Sequence, residues 1–163
     1  MQTLSEQILR RAKIALNVWT ILTICCAVFL IMPFLSEPML KGAPAVDPLL
    51  LRRTLTAIAS LMAMSTVFIR AYLLSPPRLR LLGNRLKTGI ESPEVRLSKF
   101  LQQWFTFNVI AWGVNESIAS FGVVIFGLTG ETSAASPFAI AGVLLNLLMF
   151  PNFKLSAARA GLI

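Results

Sequence analysis

Histidine is absent from this chain, cysteine occurs twice, and charge is scarce: 13% of the 163 residues are charged against 56% hydrophobic. Without histidine, and with only Cys25 and Cys26 to supply thiolates, no ligand set for zinc, haem or an iron–sulfur cluster can be completed. The two cysteines are neighbours in one apolar run; on a helix they point about 100° apart and cannot bridge each other, so they read as small packing residues. A phosphate loop, a nucleophile elbow, a paired-histidine helix and a dinucleotide fingerprint are missing as well. Catalysis would fall to Glu116, a loop carboxylate, or Ser and Tyr72, and no spacing sets one such group beside a second. Neither an enzyme nor a cofactor is expected.

The shortage of charge decides the class. A water-soluble domain carries ~25% charged and ~45–50% apolar residues. This chain, with a mean hydropathy of +0.74, has too little charge to cover a core of its size in water, and a bilayer is the solvent that suits it. Four apolar runs stand near or above the ~18 residues that cross a hydrocarbon core as a helix: residues 14–35, 54–74, 104–128 and 137–155, the last taken as a shorter run ending at Phe150 with a continuation to Leu155. None alternates apolar with polar positions as a barrel wall must. The expected fold is all-α, a four-helix membrane bundle forming one domain over residues 1–163.

Helix boundaries have local chemistry behind them. Thr3 with Glu6 forms a capping-box pattern, while Asp47–Pro48, Ser92–Pro93 and Ser136–Pro137 each pair an N-cap residue with proline at the first helical position. Pro33 is expected to bend or end the first span, and residues 36–47, with Pro38, Gly42 and Pro44, to form a loop. Arg10, Arg11 and Lys13 ahead of an apolar run, with Ala43-Pro44-Ala45 beyond it, have the outline of a secretory leader. The run is longer than the ~7–15 residues of a leader's apolar region, which favours a retained helix.

Twelve of the fifteen basic residues lie in the N-terminal segment, in the middle connection or near the C-terminus, and only Lys41, Arg52 and Arg53 lie elsewhere. By the positive-inside rule both termini and the basic loop 75–99 are cytoplasmic, and a bacterial inner membrane is the compartment that fits. The net charge of +8 then reports topology, not nucleic-acid binding. Arg78, Arg80, Arg85 and Lys87 are expected to contact lipid headgroups, at ~1 kcal/mol each. Interleaved Leu79, Leu81, Leu82 and Leu86 suit a short interfacial helix, weakened by Gly83. The expected partners are membrane lipids, together with other membrane subunits or further copies of the chain.

Glu116 is the most informative residue, because a carboxylate at mid-span costs roughly 2.5–3.5 kcal/mol on insertion scales. Asn115, Ser120 and Asn146 are its candidate hydrogen-bonding shell, and Asn146 stands at a similar depth on the fourth span. Arg70 either snorkels to the interface or reaches toward Glu116. Gly113 with Ser117, and Ala59 with Ala63, mark close helix approaches, expected inside the bundle, and Gly122 and Gly127 lie further along the third span.

The stretch Gly113-Val-Asn-Glu116-Ser-Ile-Ala-Ser-Phe121-Gly122-Val-Val resembles the ion-binding helix of the proteolipid subunits of rotary ATPases, in which a membrane carboxylate precedes an aromatic–glycine pair. It is also similar to helices of small uncharacterised bacterial four-span membrane proteins. The resemblance implies that Glu116 binds a proton or cation with help from Asn115 and Ser120. Ring assembly is not implied, since the other spans lack the glycine repeat and Glu116 falls on the third. The leading expectation is a non-enzymatic accessory or assembly subunit of a membrane complex; the alternative is an ion-coupled element centred on Glu116.

Overall fold

In the computed structural model, which describes residues 4–35, 47–88 and 91–162, six helices run in sequence. They are α1 (Leu4–Leu35), α2 (Pro48–Phe68), α3 (Pro76–Lys87), α4 (Pro93–Thr129), α5 (Thr132–Leu148) and α6 (Phe153–Arg159), with a π-turn over Ile69–Leu73 extending α2. No strand occurs among the described residues. The molecule is all-helical, and α1, α2 with its π-turn, and α4 are each long and apolar enough to cross a membrane; α5 and α6 together make a fourth if that bent pair is one span.

Two of the proline starts form as the sequence implies. The Asp47 carboxylate accepts from the Leu49 amide at 2.9 Å and the Ser92 hydroxyl from the Val95 amide at 3.4 Å, with Pro48 and Pro93 opening their helices. The third differs. α5 starts at Thr132, so Pro137 lies inside the helix, and Ser136 donates its hydroxyl to the Thr132 carbonyl instead of capping anything. Pro33 lies inside α1, which is described as far as Leu35. Thr3 and residues 36–46 lie outside the described residues.

α4 is the axis of the fold. Of its apolar window 44% is buried, against 11% in α1 and in α2, because α5, α1 and α2 all pack on it while α1 and α2 do not pack substantially on one another. The tightest seam is α4 on α5. A Cβ at Gly142 would stand 2.7 Å from both the Asn115 carbonyl oxygen and the Ala119 Cβ, and one at Gly122 would stand 2.6 Å from the Ala135 carbonyl oxygen. By contrast nothing lies within 4 Å of such an atom at Gly113 or Gly127. The seam is therefore built by Ala119, Gly122, Ala135 and Gly142, and the expected Gly113–Ser117 approach faces outward.

The fourth span is not the continuous helix expected to run to Leu155. α5 stops at Leu148 and α6 resumes at Phe153, bent by 52°. Pro151 explains the stop: it has no amide to donate, and it disfavours helical geometry at Phe150 before it. All three tryptophans serve this break. Trp19 and Trp112 donate their indole N–H groups to the carbonyls of Asn146 (2.8 Å) and Met149 (2.9 Å) in the last turn and just beyond it, the first shared with the Met149 amide. Trp104 holds the Ser156 hydroxyl of α6 at 3.1 Å.

The middle connection is largely helical. α4 begins eleven residues before Trp104, and α3 forms despite Gly83. That glycine is required: its Cβ would stand 2.0 Å from the Ala160 carbonyl oxygen, so α6 crosses α3 on its bare backbone. Leu79 is buried, and Leu82 and Leu86 pack beside it into the protein core, leaving Leu81 outward with Arg78, Arg80, Arg85 and Lys87. The starts of α1 and α4 meet where Arg11 donates to the Ser98 hydroxyl at 3.1 Å. The N-terminal basic cluster, α3 and α6 thus gather at one end of the bundle.

Candidate functional site

Two apolar clusters make up the core, one around Phe100, Trp104, Trp112 and Met149 toward the basic end, the other around Ala59, Ile118, Ile125 and Phe138 toward the opposite end. A polar layer separates them. Thr66, Asn115 and Asn146 are completely buried there, and Cys26 is too. Such groups are tolerated in an apolar interior only when paired, and here they pair with one another. The Thr66 hydroxyl donates to Asn115 Oδ1 at 2.8 Å, Asn115 Nδ2 donates to Asn146 Oδ1 at 2.9 Å, and Asn146 Nδ2 donates to Cys26 Sγ at 3.5 Å. One side chain from each of α2, α4, α5 and α1 enters this relay.

The geometry follows from periodicity. Ala59, Ala63 and Thr66, four and three residues apart, share a helical face, so the small-residue side of α2 that approaches α4 carries the hydroxyl into the core. Asn108 and Asn115 are seven apart and both buried on α4. Asn108 donates to the Trp104 carbonyl of its own helix at 2.7 Å and takes no part in the relay.

Of the site residues expected from sequence, the structure brings together Asn115 and Asn146 and leaves the others apart. Ser120, five positions beyond Asn115 and turned about 140° from it on an α-helix, donates to the Ser117 carbonyl at 2.8 Å. Glu116 is partly buried, about 100° around α4 from Asn115, and among the described residues it makes no hydrogen bond or ion pair. The expected Glu116–Asn146 bond is not made, because both amide ends of Asn146 are engaged by Asn115 and Cys26. Glu116 lies within electrostatic reach of Cys26 on α1. Arg70 is exposed in the π-turn, lining a cavity toward the basic end with Arg159, and does not meet Glu116.

Sequence reasoning missed Thr66 and Cys26. The i, i+4, i+7 continuation from Ala59 and Ala63 was the available signal for Thr66. Nothing in the local sequence distinguishes Cys26, buried in the relay, from Cys25, which is only partly buried. Among the described residues no cluster of His, Cys, Asp and Glu could hold a metal ion. Chemically, the relay is a chain of neutral groups each satisfied by the next: it orders four helices and supplies no group able to gain or lose a proton cheaply. Comparison with known proteins returns no matching family model, no matching curated protein and no matching solved structure.

Proposed function

We propose that this chain is a non-enzymatic multi-pass protein of the bacterial inner membrane, an accessory or assembly subunit of a membrane complex, with both termini and α3 on the cytoplasmic side. Large apolar side chains on the outer faces of α1 and α2, among them Phe34 at 69%, Leu61 at 68% and Met64 at 68% exposure, suit lipid and are foreign to a water-soluble monomer. The gathering of basic residues at one end supports the orientation.

The observation that carries the subunit reading is the outer face of α4. Gly113, Ser117 and Ser120 follow one another at four- and three-residue spacing, Gly113 has open space around it, and Glu116 stands beside them without a bonded partner among the described residues. The two serine hydroxyls are satisfied by carbonyls of α4 itself, but a carboxylate is costly against lipid, whereas a second helix can pair it and small side chains permit its close backbone approach. A photo-crosslinking amino acid at Ser117 is expected to give one adduct of defined mass in native membranes, and the same probe at Leu61 none. Equal labelling at the two positions, or only the lone chain in both, would count against the reading.

A second reading, proton or cation uptake by Glu116, is favoured by its place in an apolar helix and its lack of a bonded partner among the described residues. Labelling of Glu116 by a hydrophobic carbodiimide, suppressed at high pH or by a cation, is its expected signature. No labelling, together with a fully tolerated Glu116→Gln, would remove it.

A further inference from the structure

The break between α5 and α6 opens a cavity of about 310 Å³ at the basic end, and its walls sort by chemistry. Arg70 and Arg159 stand on its flanks. No acidic residue lines it, and neither arginine has an ion-pair partner among the described residues. The floor is polar and fixed: Asn108 is held by the Trp104 carbonyl, and Ser156 accepts from the Trp104 indole while donating to the Asn152 carbonyl at 2.9 Å. The rim is apolar and outward, with Leu147, Leu148, Phe150 and Leu155 each between 44% and 51% exposed.

The π-turn is what places Arg70 there. Residues five apart on an α-helix lie about 140° apart, yet Ile69 and Leu74 are both buried because the Leu74 amide bonds back to the Ile69 carbonyl at 2.9 Å. Widening that turn sets both side chains into the core and leaves Arg70 beside the cavity. Such turns often mark functional positions in helices.

Two unpaired guanidinium groups with no carboxylate beside them call for an anion, and an exposed apolar rim calls for that anion to carry hydrocarbon. We infer that this cleft binds the phosphate headgroup of an anionic phospholipid, its acyl chains lying along the rim. The volume is at the small end of ligand pockets, roughly 300–1,000 Å³, which suits a headgroup with its tails outside. Guanidinium forks match phosphate oxygens bidentately. This site is distinct from the diffuse headgroup contacts open to the α3 cations, and it rests only on the bilayer placement proposed above, not on the partner-helix reading of α4.

The test uses the full chain, purified in mild detergent and stripped of lipid, with phosphatidylglycerol, phosphatidylcholine and glycerol 3-phosphate as separate probes. Retention is followed by native mass spectrometry and by the shift in unfolding temperature. Phosphatidylglycerol is expected to be retained and to raise the unfolding temperature, with phosphatidylcholine and glycerol 3-phosphate well below it. Arg70→Gln combined with Arg159→Gln should weaken retention about tenfold or more, and Arg80→Gln combined with Arg85→Gln, which touches only diffuse headgroup contacts, should weaken it far less. Both arginines of the cleft are exposed, and the single variants, each giving a partial loss, guard against a double variant that misfolds. Equal loss from the α3 pair would mean diffuse charge and overturn the site. A shift from glycerol 3-phosphate as large as that from the lipid would overturn the lipid assignment in favour of a soluble phosphate ester. Crosslinking at Ser117 is unaffected by either result, so the two proposals fail separately.

Discussion

Asn115 and Glu116 are adjacent on one helix and live in opposite conditions. Asn115 is sealed at the centre of the bundle with partners on α2 and α5, while Glu116, a third of a turn away, has no hydrogen bond or ion pair among the described residues. Desolvation treats the two residues differently: an amide can be satisfied inside the bundle, while a carboxylate is costly in the core and against hydrocarbon alike. A buried amide satisfied by neighbours costs little, whereas a buried carboxylate without a cation costs several kcal/mol. The polarity of α4 is thus divided between holding this molecule together and meeting something outside it.

That division can be broken from either side. The largest effect is expected from Asn115→Leu, which keeps the branched outline of the side chain but strands the Thr66 hydroxyl and Asn146 Oδ1; a loss of roughly 2–4 kcal/mol should appear as a lowered unfolding temperature in detergent. Glu116→Gln, one residue on, should leave that temperature nearly unchanged. If the two variants fall equally, the assignment of structural work to Asn115 alone is wrong. Next comes Gly142→Ala, whose added methyl meets the Asn115 backbone and must push α5 off α4; about 1–3 kcal/mol of destabilisation is expected, again by thermal unfolding. Thr66→Val removes one terminal donor of the relay and should cost about 0.6 kcal/mol, the average for such bonds between membrane helices, with Thr66→Ser restoring it. Gly113→Ala is expected to be neutral or to stabilise the isolated chain by up to about 1 kcal/mol, since it fills open space and improves helix propensity. The same change should reduce crosslinking from Ser117 if a partner helix sits close there, which separates the two faces of α4 in a single variant.

Much of the fold was legible in the linear pattern. Long apolar runs and the Asp47–Pro48 and Ser92–Pro93 starts are local features, set by hydrocarbon length and by caps that satisfy the first free amides of a helix. The break in the fourth span was legible too, in Pro151 followed by Asn152, whose side chain accepts from the Leu155 amide at 3.0 Å; reading the apolar run by hydropathy alone passes over it. Gly83 carried a misleading local message. Its low helix propensity argues against α3, yet the contact with Ala160 outweighs that penalty, because a bare backbone is what lets α6 cross there.

For the site, sequence singled out Asn115 and Asn146 as polar residues in apolar surroundings but could not say what each one meets. A hydrogen-bond partner is chosen by helix rotation and depth, and those are set by the close seam of Ala119, Gly122, Ala135 and Gly142 and by the approach of α2 along Ala59, Ala63 and Thr66. The amino-acid order determined that this chain is helical, that α2 and α4 begin at their proline caps, and that its charges fall in separate clusters, since each of these follows from neighbours within a few turns. Which polar side chains close on one another, which small residues face outward, and how Arg70 and Arg159 from remote segments come to flank one cavity were decided only by packing, because those distances depend on how whole helices sit against each other.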